Sequence, residues 1–444
     1  MIAPLRNRTY RRLFAAQVIA LLGTGLATVA LGLLAYELAG ADAGAVLGTA
    51  LAIKMVAYVG VAPLANGFSD IVPRRALLVA MDVVRAAIAL LLPFVDAVWQ
   101  VYVLIFLLQS ASAAFTPTFQ AVIPDLLPKE RDYTEALSLS RLAYDLESLA
   151  SPALAAALLA LIDFHWLFGG TALGFAASAL LVLSTVLPQP EAAAPAGGVY
   201  ERTTRGLRIY LTTPRLRGLL ALNLSVAAAG AMVIVNTVVY VQAVLERPAA
   251  DLAVALALFG GGSMAAALLL PRLLDRLSDR AVMLAGAALL TAGMLFAGAL
   301  ALRGAVGWPV LLGIWFALGL GYSAVLTPSG RLLRRSSRQE DRPALFAAQF
   351  ALSHGCWLLT YPLAGWLGAE AGMAAAFLAL GGLTALGALL APAVWPANDP
   401  EIVAHVHVDL PPDHPHLRDA EPTAQGLRHA HAYVIDEHHR RWPG

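Results

Sequence analysis

Asn66-Gly67-Phe68-Ser69-Asp70-Ile71-Val72-Pro73-Arg74-Arg75 and Pro271-Arg272-Leu273-Leu274-Asp275-Arg276-Leu277-Ser278-Asp279-Arg280 are two polar links set in otherwise apolar sequence. Aligned so that Asp70 meets Asp275, Arg75 falls on Arg280, and apolar residues follow in both copies. A charged loop repeated between apolar runs is the sequence sign of a transporter built from two similar halves.

Outward from these links, apolar stretches recur at the length a membrane helix needs, about 20 residues. They fall near 13–38, 46–65, 77–95, 98–117, 138–162 and 166–187, then near 216–245, 252–270, 281–302, 308–328, 343–367 and 373–395. The stretch 138–162 is the least apolar. Only 13% of the 444 residues are charged, 59% are hydrophobic, and the mean hydropathy is +0.70. A water-facing surface carries roughly a quarter charged residues, so most of this surface faces something else. The first apolar run is too long for a signal-peptide core and reads as a retained span. The single cysteine, Cys356, excludes disulfide scaffolds, zinc ribbons and iron–sulfur clusters. A net charge of +1 gives no basis for a nucleic-acid partner. With no nucleotide loop, catalytic triad or zinc-protease helix, an enzyme is not expected.

The basic residues set the orientation, because Lys and Arg are retained on the cytoplasmic side. With the N-terminus inside, every Lys and Arg falls on inside segments except Arg247, Arg303, Lys54 and Arg85. That asymmetry needs an even number of spans and both termini in the cytoplasm. The expected layout is a six-helix bundle over 1–187, a cytoplasmic link over 188–215, a second six-helix bundle over 216–396, and a cytoplasmic tail over 397–444.

At the two quoted loops the chain resembles the major facilitator superfamily, whose loop hallmark is Gly-x-x-x-Asp-(basic)-x-Gly-x-(basic)-(basic). Asp70, Arg74 and Arg75 match the first copy, while Asn66, Ile71 and Pro73 replace the two glycines and the first basic residue. In the second copy Asp275, Arg276 and Arg280 match, and Pro271 and Ser278 depart. The resemblance covers residues 1 to about 396 and implies an all-α integral membrane fold. It implies twelve transmembrane helices in two pseudo-symmetric six-helix bundles that rock about a central cavity. It also implies that Asp70, Arg74, Arg75, Asp275, Arg276 and Arg280 form an inside latch. Read without the resemblance, these charges are topology signals and surface ion pairs of little energy.

Ionisable groups within spans are costly and are therefore candidates for function. Lys54 stands in the second span without a local partner. Asp82 and Arg85 stand three apart in the third and read as a structural pair. In the fifth span, Arg141 and Asp145 are four apart and can pair along one face. Glu147 lies about 200° of helix rotation from Asp145, so one carboxylate can face a cavity while the other is neutralised. Asp145 and Glu147 are therefore the proton-coupling candidates. Antiporters of the resembled family carry Gly-Pro in this span; here Pro152 is kept and Ser151 replaces the glycine. In the eleventh span, His354 and Cys356 point to different faces and are not expected to share an ion. The resembled family packs its second and eleventh spans together, which would make Lys54 and His354 neighbours.

Of the ten histidines, only His165 and His354 precede the tail. The others are His405, His407, His414, His416, His429, His431, His438 and His439, interleaved with Asp409, Asp413, Asp436 and Glu437. Residues two apart in a strand point to one side, and 402–410 and 428–436 alternate in a strand-like way. Imidazole and carboxylate without thiolate suit nickel, cobalt, zinc or copper(II) and fit copper(I) poorly. A His-rich tail can also bind metal adventitiously, with no metal being transported.

A His-rich cytoplasmic tail on this fold resembles the exporters of bacterial nickel resistance, by composition and position. The expectation is a proton-coupled antiporter of the inner membrane that moves nickel or cobalt out of the cytoplasm as a monomer, with no cofactor required and a tail that binds nickel, cobalt or zinc. The alternative is efflux of a drug, siderophore or other organic solute, with the tail regulatory.

Overall fold

The computed structural model describes residues 3–39, 43–66, 72–188, 199–400, 402–407, 410–411, 414–424, 426–436, 438–439 and 441–442. Six long helices make the first half: α1 (Arg8–Ala39), α2 (Ala43–Asn66), α3 (Arg74–Leu91), α4 (Val98–Leu126), α5 (Glu130–Leu159) and α6 (His165–Leu183). A short helix, α7 (Val199–Thr212), lies in the link. The second half has α8 (Pro214–Val239), α9 (Ala249–Leu274), α10 (Asp279–Ala301) and α11 (Trp308–Leu326). It continues with the short α12 (Ser329–Arg335), then α13 (Arg342–Trp366) and α14 (Gly372–Val394). Lipid offers no partner to backbone N–H and C=O groups, so a spanning segment must satisfy them internally as a helix.

Among the described residues, nine helical stretches are long and apolar enough to cross a membrane, and one of them holds α13 and α14 in series. The apolar part of α2, Thr49–Ala65, is shorter. The charges of α5 keep it outside that set. It is nevertheless a full-length helix of 30 residues, because its charged positions meet partners inside the protein. Large apolar side chains such as Leu51, Phe94, Leu173, Val186 and Leu389 are exposed on the outside of the bundle, where a hydrocarbon solvent would favour them.

Within the halves, α1 packs on α6 and α9 on α11. Between the halves, α2 lies against α13 and α5 against α9. These two pairings are exchanged by the pseudo-twofold, which relates α2 to α9 and α5 to α13. We call the end where α2 meets α3, α4 meets α5 and α9 meets α10 the basic end.

Beyond α14 the chain forms a small antiparallel sheet of β1 (Ile402–His407), β2 (Glu421–Thr423) and β3 (Gly426–Ala432), in the order β1-β3-β2. The register sets His405 opposite His429. Tyr433 and Ile435, just after β3, are buried in the core of the second half.

Candidate functional site

At the basic end the halves are joined by a clamp of arginines. Arg342, the first residue of α13, donates to Asp125 near the end of α4. Asp125 also binds Arg74 at 2.7 Å, and its side chain is fully buried. From α12, Arg331 binds Glu130 of α5 at 2.5 Å and Asp279 of α10 at 2.7 Å. It also donates to the hydroxyl of Thr134, and Arg334 donates to the carbonyl of Pro128. Close approach of α12 to α5 depends on Gly330. A Cβ there would stand 2.6 Å from the Tyr133 hydroxyl and 2.8 Å from Leu137. The buried carboxylate of Asp125 thus meets guanidinium from both halves, whereas that of Asp279 meets Arg331 and Arg335 of its own half. A carboxylate stripped of all its partners would be a buried unpaired charge.

Midway through the membrane the two halves meet around a second group. Tyr58 of α2 donates to Gln109 of α4 at 2.8 Å and stands edge-on to the ring of His354 on α13. Lys54, one turn before Tyr58, reaches over its ring at 5.5 Å. Lys54 lies within electrostatic reach of Glu147 on α5 and of His354. Gly25 of α1 makes room for this carboxylate, since a Cβ there would lie 2.8 Å from Glu147 Oε1. Arg141 pairs with Asp145 one turn away and reaches across the halves, donating to Ser263 of α9 at 3.0 Å. Its guanidinium lies over the ring of Tyr322 on α11 at 4.9 Å. The contacts between halves just named run from mid-membrane to the basic end. The molecule is therefore held closed at that end.

Below the basic end, six imidazoles of the tail converge. His405 Nε2 lies 3.0 Å from the Nε2 atoms of His407, His429 and His439. His416 Nε2 lies 3.2 Å from His439 Nε2. Ligand atoms of His405, His416, His429, His431 and His439 all lie within 4.8 Å of one another. Nδ1 of His405 faces the carbonyl of Val403 at 3.0 Å, Nδ1 of His431 that of Ala432 at 2.8 Å, and Nδ1 of His439 a carboxylate oxygen of Asp436 at 2.9 Å. Such partners fix the tautomer and aim Nε2 at a common point, as around a bound metal. Burial first, and then the neighbouring imidazoles, push His405 and His407 down to about 4. The carboxyl of Asp436 is opposed by burial, but the His439 ring and Arg338 together hold it well below the usual range.

Two overlapping stretches of the chain, residues 13–277 and 219–428, match the family model of the Major Facilitator Superfamily. The chain belongs to the major facilitator superfamily. Solved structures of the same fold include a bacterial homologue of the iron transporter ferroportin in its outward-facing state, with a TM-score of 0.72 and 14% identity over 87% of this chain and 98% of that one. The human organic anion transporter TETRAN gives 0.71 and 15% over 86% and 98%, and the E. coli fucose:proton symporter 0.68 and 13% over the same shares. At these identities the likeness is one of fold. No curated protein matches the chain in sequence. The protein is a multi-pass membrane transporter of this superfamily and not an enzyme.

Within this major facilitator fold, the residues singled out from sequence take different places. Asp70 lies outside the described residues. Arg74 is buried on Asp125, whereas Arg75, Asp275 and Arg276 are exposed. Arg280 donates to the carbonyl of Trp395 at 3.1 Å. The arginines that cross between halves, Arg331, Arg334 and Arg342, were read from sequence only as inside charges. Their neighbourhood to Asp125 and Glu130 spans two bundles and leaves no local spacing signal. Lys54 comes within electrostatic reach of Glu147 on α5, and Asp145 and Glu147 separate as the helix rotation requires. Asp82 and Arg85 form a buried pair completed by the Ser178 hydroxyl at 2.7 Å. Of the eight tail histidines, His414 and His438 stand outside the converging group, against each other.

Proposed function

We propose that this protein is a proton-coupled exporter of a divalent metal ion, nickel or cobalt, across the inner membrane. The single observation that carries the metal reading is the convergence of six tail imidazoles on one point. Its basic end is cytoplasmic in this reading, with both termini inside, so the clamped conformation is outward-facing. Glu147 is the coupling carboxylate: it faces Lys54 across α2 and α5, whereas Asp145 is committed to Arg141. Protonation of Glu147 from outside would free Lys54, and the arriving dication would displace that proton on the inside. One of the fold relatives is a homologue of an iron transporter, but the imidazoles, not that likeness, support a metal cargo.

A second reading, efflux of an organic solute, is favoured by the aromatic character of the interior. Trp357 meets Tyr322 edge-on and lies tilted on Tyr361 near the mid-membrane group, and few carboxylates accompany them. In this reading the tail regulates and the metal is not cargo. The two separate on nickel and cobalt accumulation in cells with and without the protein, alongside a panel of organic toxicants. Lower metal content with the protein present is expected. Equal metal content in the presence and absence of the protein sinks the metal reading.

A further inference from the structure

We propose that the tail is a six-coordinate, all-imidazole metal centre for an ion of the nickel(II) or cobalt(II) class, whose loading folds the tail onto the segment that carries the arginine clamp. This rests on the reading of the tail as a metal-binding element, and on nothing about cargo or direction.

The six rings are those of His405, His407, His416, His429, His431 and His439. Adjacent rings have centroids 4.6–5.1 Å apart. The pairings missing from that set are His405 with His416, His407 with His431, and His429 with His439. These pairs share no residue, so each ring has one opposite and is adjacent to the rest. Six points related in this way are the vertices of an octahedron. The nitrogen spacing agrees. With metal–nitrogen bonds of about 2.1 Å, ligands at right angles stand about 3.0 Å apart and tetrahedral ligands about 3.4 Å apart. Four adjacent Nε2 pairs stand 3.0–3.2 Å apart, and the ligand atoms of the five rings other than His407 lie within 4.8 Å of one another.

The tautomers point to a cation. His405 Nδ1 faces a carbonyl and His439 Nδ1 a carboxylate, so both carry their proton there and both Nε2 atoms present lone pairs. Those two nitrogens are 3.0 Å apart, and their lone pairs repel unless a positive charge lies between them. His431 Nε2 is buried without a hydrogen-bond partner, and His407 and His439 are 9% and 2% exposed. Six neutral nitrogens without thiolate exceed the four that zinc takes in a structural site. Among the ions that accept six, imidazole affinity rises from manganese through iron and cobalt to nickel. A centre with all six positions filled by protein leaves none for exchange, so the bound ion signals rather than travels.

The signal has a route. Asp436 holds His439 through one oxygen and binds Arg338 at 2.5 Å through the other. Arg338 lies between α12 and α13, whose residues Arg331, Arg334 and Arg342 make the clamp. Asp399, ahead of β1, binds Arg215 at 3.2 Å and Arg335 at 3.6 Å. The sheet itself is small, so metal binding and folding of the tail are one event.

The test uses the full-length protein, purified in detergent and stripped of metal, with nickel(II), cobalt(II) and zinc(II) added separately. One nickel per chain with six nitrogen neighbours by X-ray absorption is expected, together with the weak visible bands of six-coordinate cobalt(II). Nickel should slow trypsin cleavage after Arg418 and Arg428 by roughly tenfold or more. His414→Ala and His438→Ala should keep these properties, and His405→Ala and His416→Ala should lose six-coordination. Intense four-coordinate cobalt bands, six-coordination surviving in His416→Ala, or equal trypsin resistance with and without nickel would each overturn the proposal. The wild-type spectra decide the matter if a variant fails to fold. A six-coordinate centre in a protein that leaves cellular metal unchanged would refute export while this inference stands.

Discussion

Replacing Arg342 by glutamine removes one cross-bundle bond and leaves its neighbour in place. Asp125 keeps Arg74 at 2.7 Å within the first half, so the carboxylate is not stranded in either conformation. What is lost is the charge-assisted bond made only when the basic end is closed. A hydrogen bond to a charged group contributes about 1.5–3 kcal/mol. A loss of that size, felt in one state only, shifts the closed-to-open equilibrium by about tenfold to 150-fold. The assay is alkylation of a single cysteine at Ala113, which is fully buried where α4 meets Phe350 of α13, with Cys356→Ser as background. A reagent added from the basic end should react faster in Arg342→Gln by the same factor. An unchanged rate, in protein shown to be folded, would refute the assignment of Arg342 as a clamp.

Gly330→Leu should open the same end by wedging α12 from α5, and its alkylation rate at the Ala113 cysteine should rise above that of Arg342→Gln. Glu147→Gln should abolish the dependence of efflux on a pH gradient while the protein remains folded. Asp145→Asn should instead lower thermal stability, by about 3–5 kcal/mol for a broken buried pair; coupling retained in Glu147→Gln would refute its role. For the tail, folded His405 and His407 titrate at about 4, against about 6.5 for free histidine. The folded tail therefore refuses protons that an unfolded tail accepts, and its stability is full above pH 6.5 and falls as pH drops toward 4. Nickel retention measured from pH 7.5 to 4.5 should decline through that window, and retention unchanged at pH 4.5 would contradict the assignment.

The fold was legible because its signals are local. Each span is a continuous apolar run, and Asp70 to Arg75 against Asp275 to Arg280 is a similarity within one chain. The strand character of the tail was likewise carried by alternation, and so was the pairing of His405 with His407 and of His429 with His431. Even the weakness of 138–162 as a span was visible, since Arg141, Asp145 and Glu147 stand there in the open. The clamp was not legible. Arg342 and Asp125 stand far apart along the chain, and nothing in the residues around either names the other.

What the sequence by itself determined is which residues must leave water and which side of the membrane the charges prefer, because hydrophobic transfer and the retention of Lys and Arg act on each segment separately. Only the tertiary structure decided which charge meets which. It brought Glu147 within electrostatic reach of Lys54, set Arg342 against Asp125, and gathered six of the eight tail histidines together. Those choices depend on how helices and strands remote in sequence are packed, and a coulombic or coordinate bond is specific only at a few ångströms.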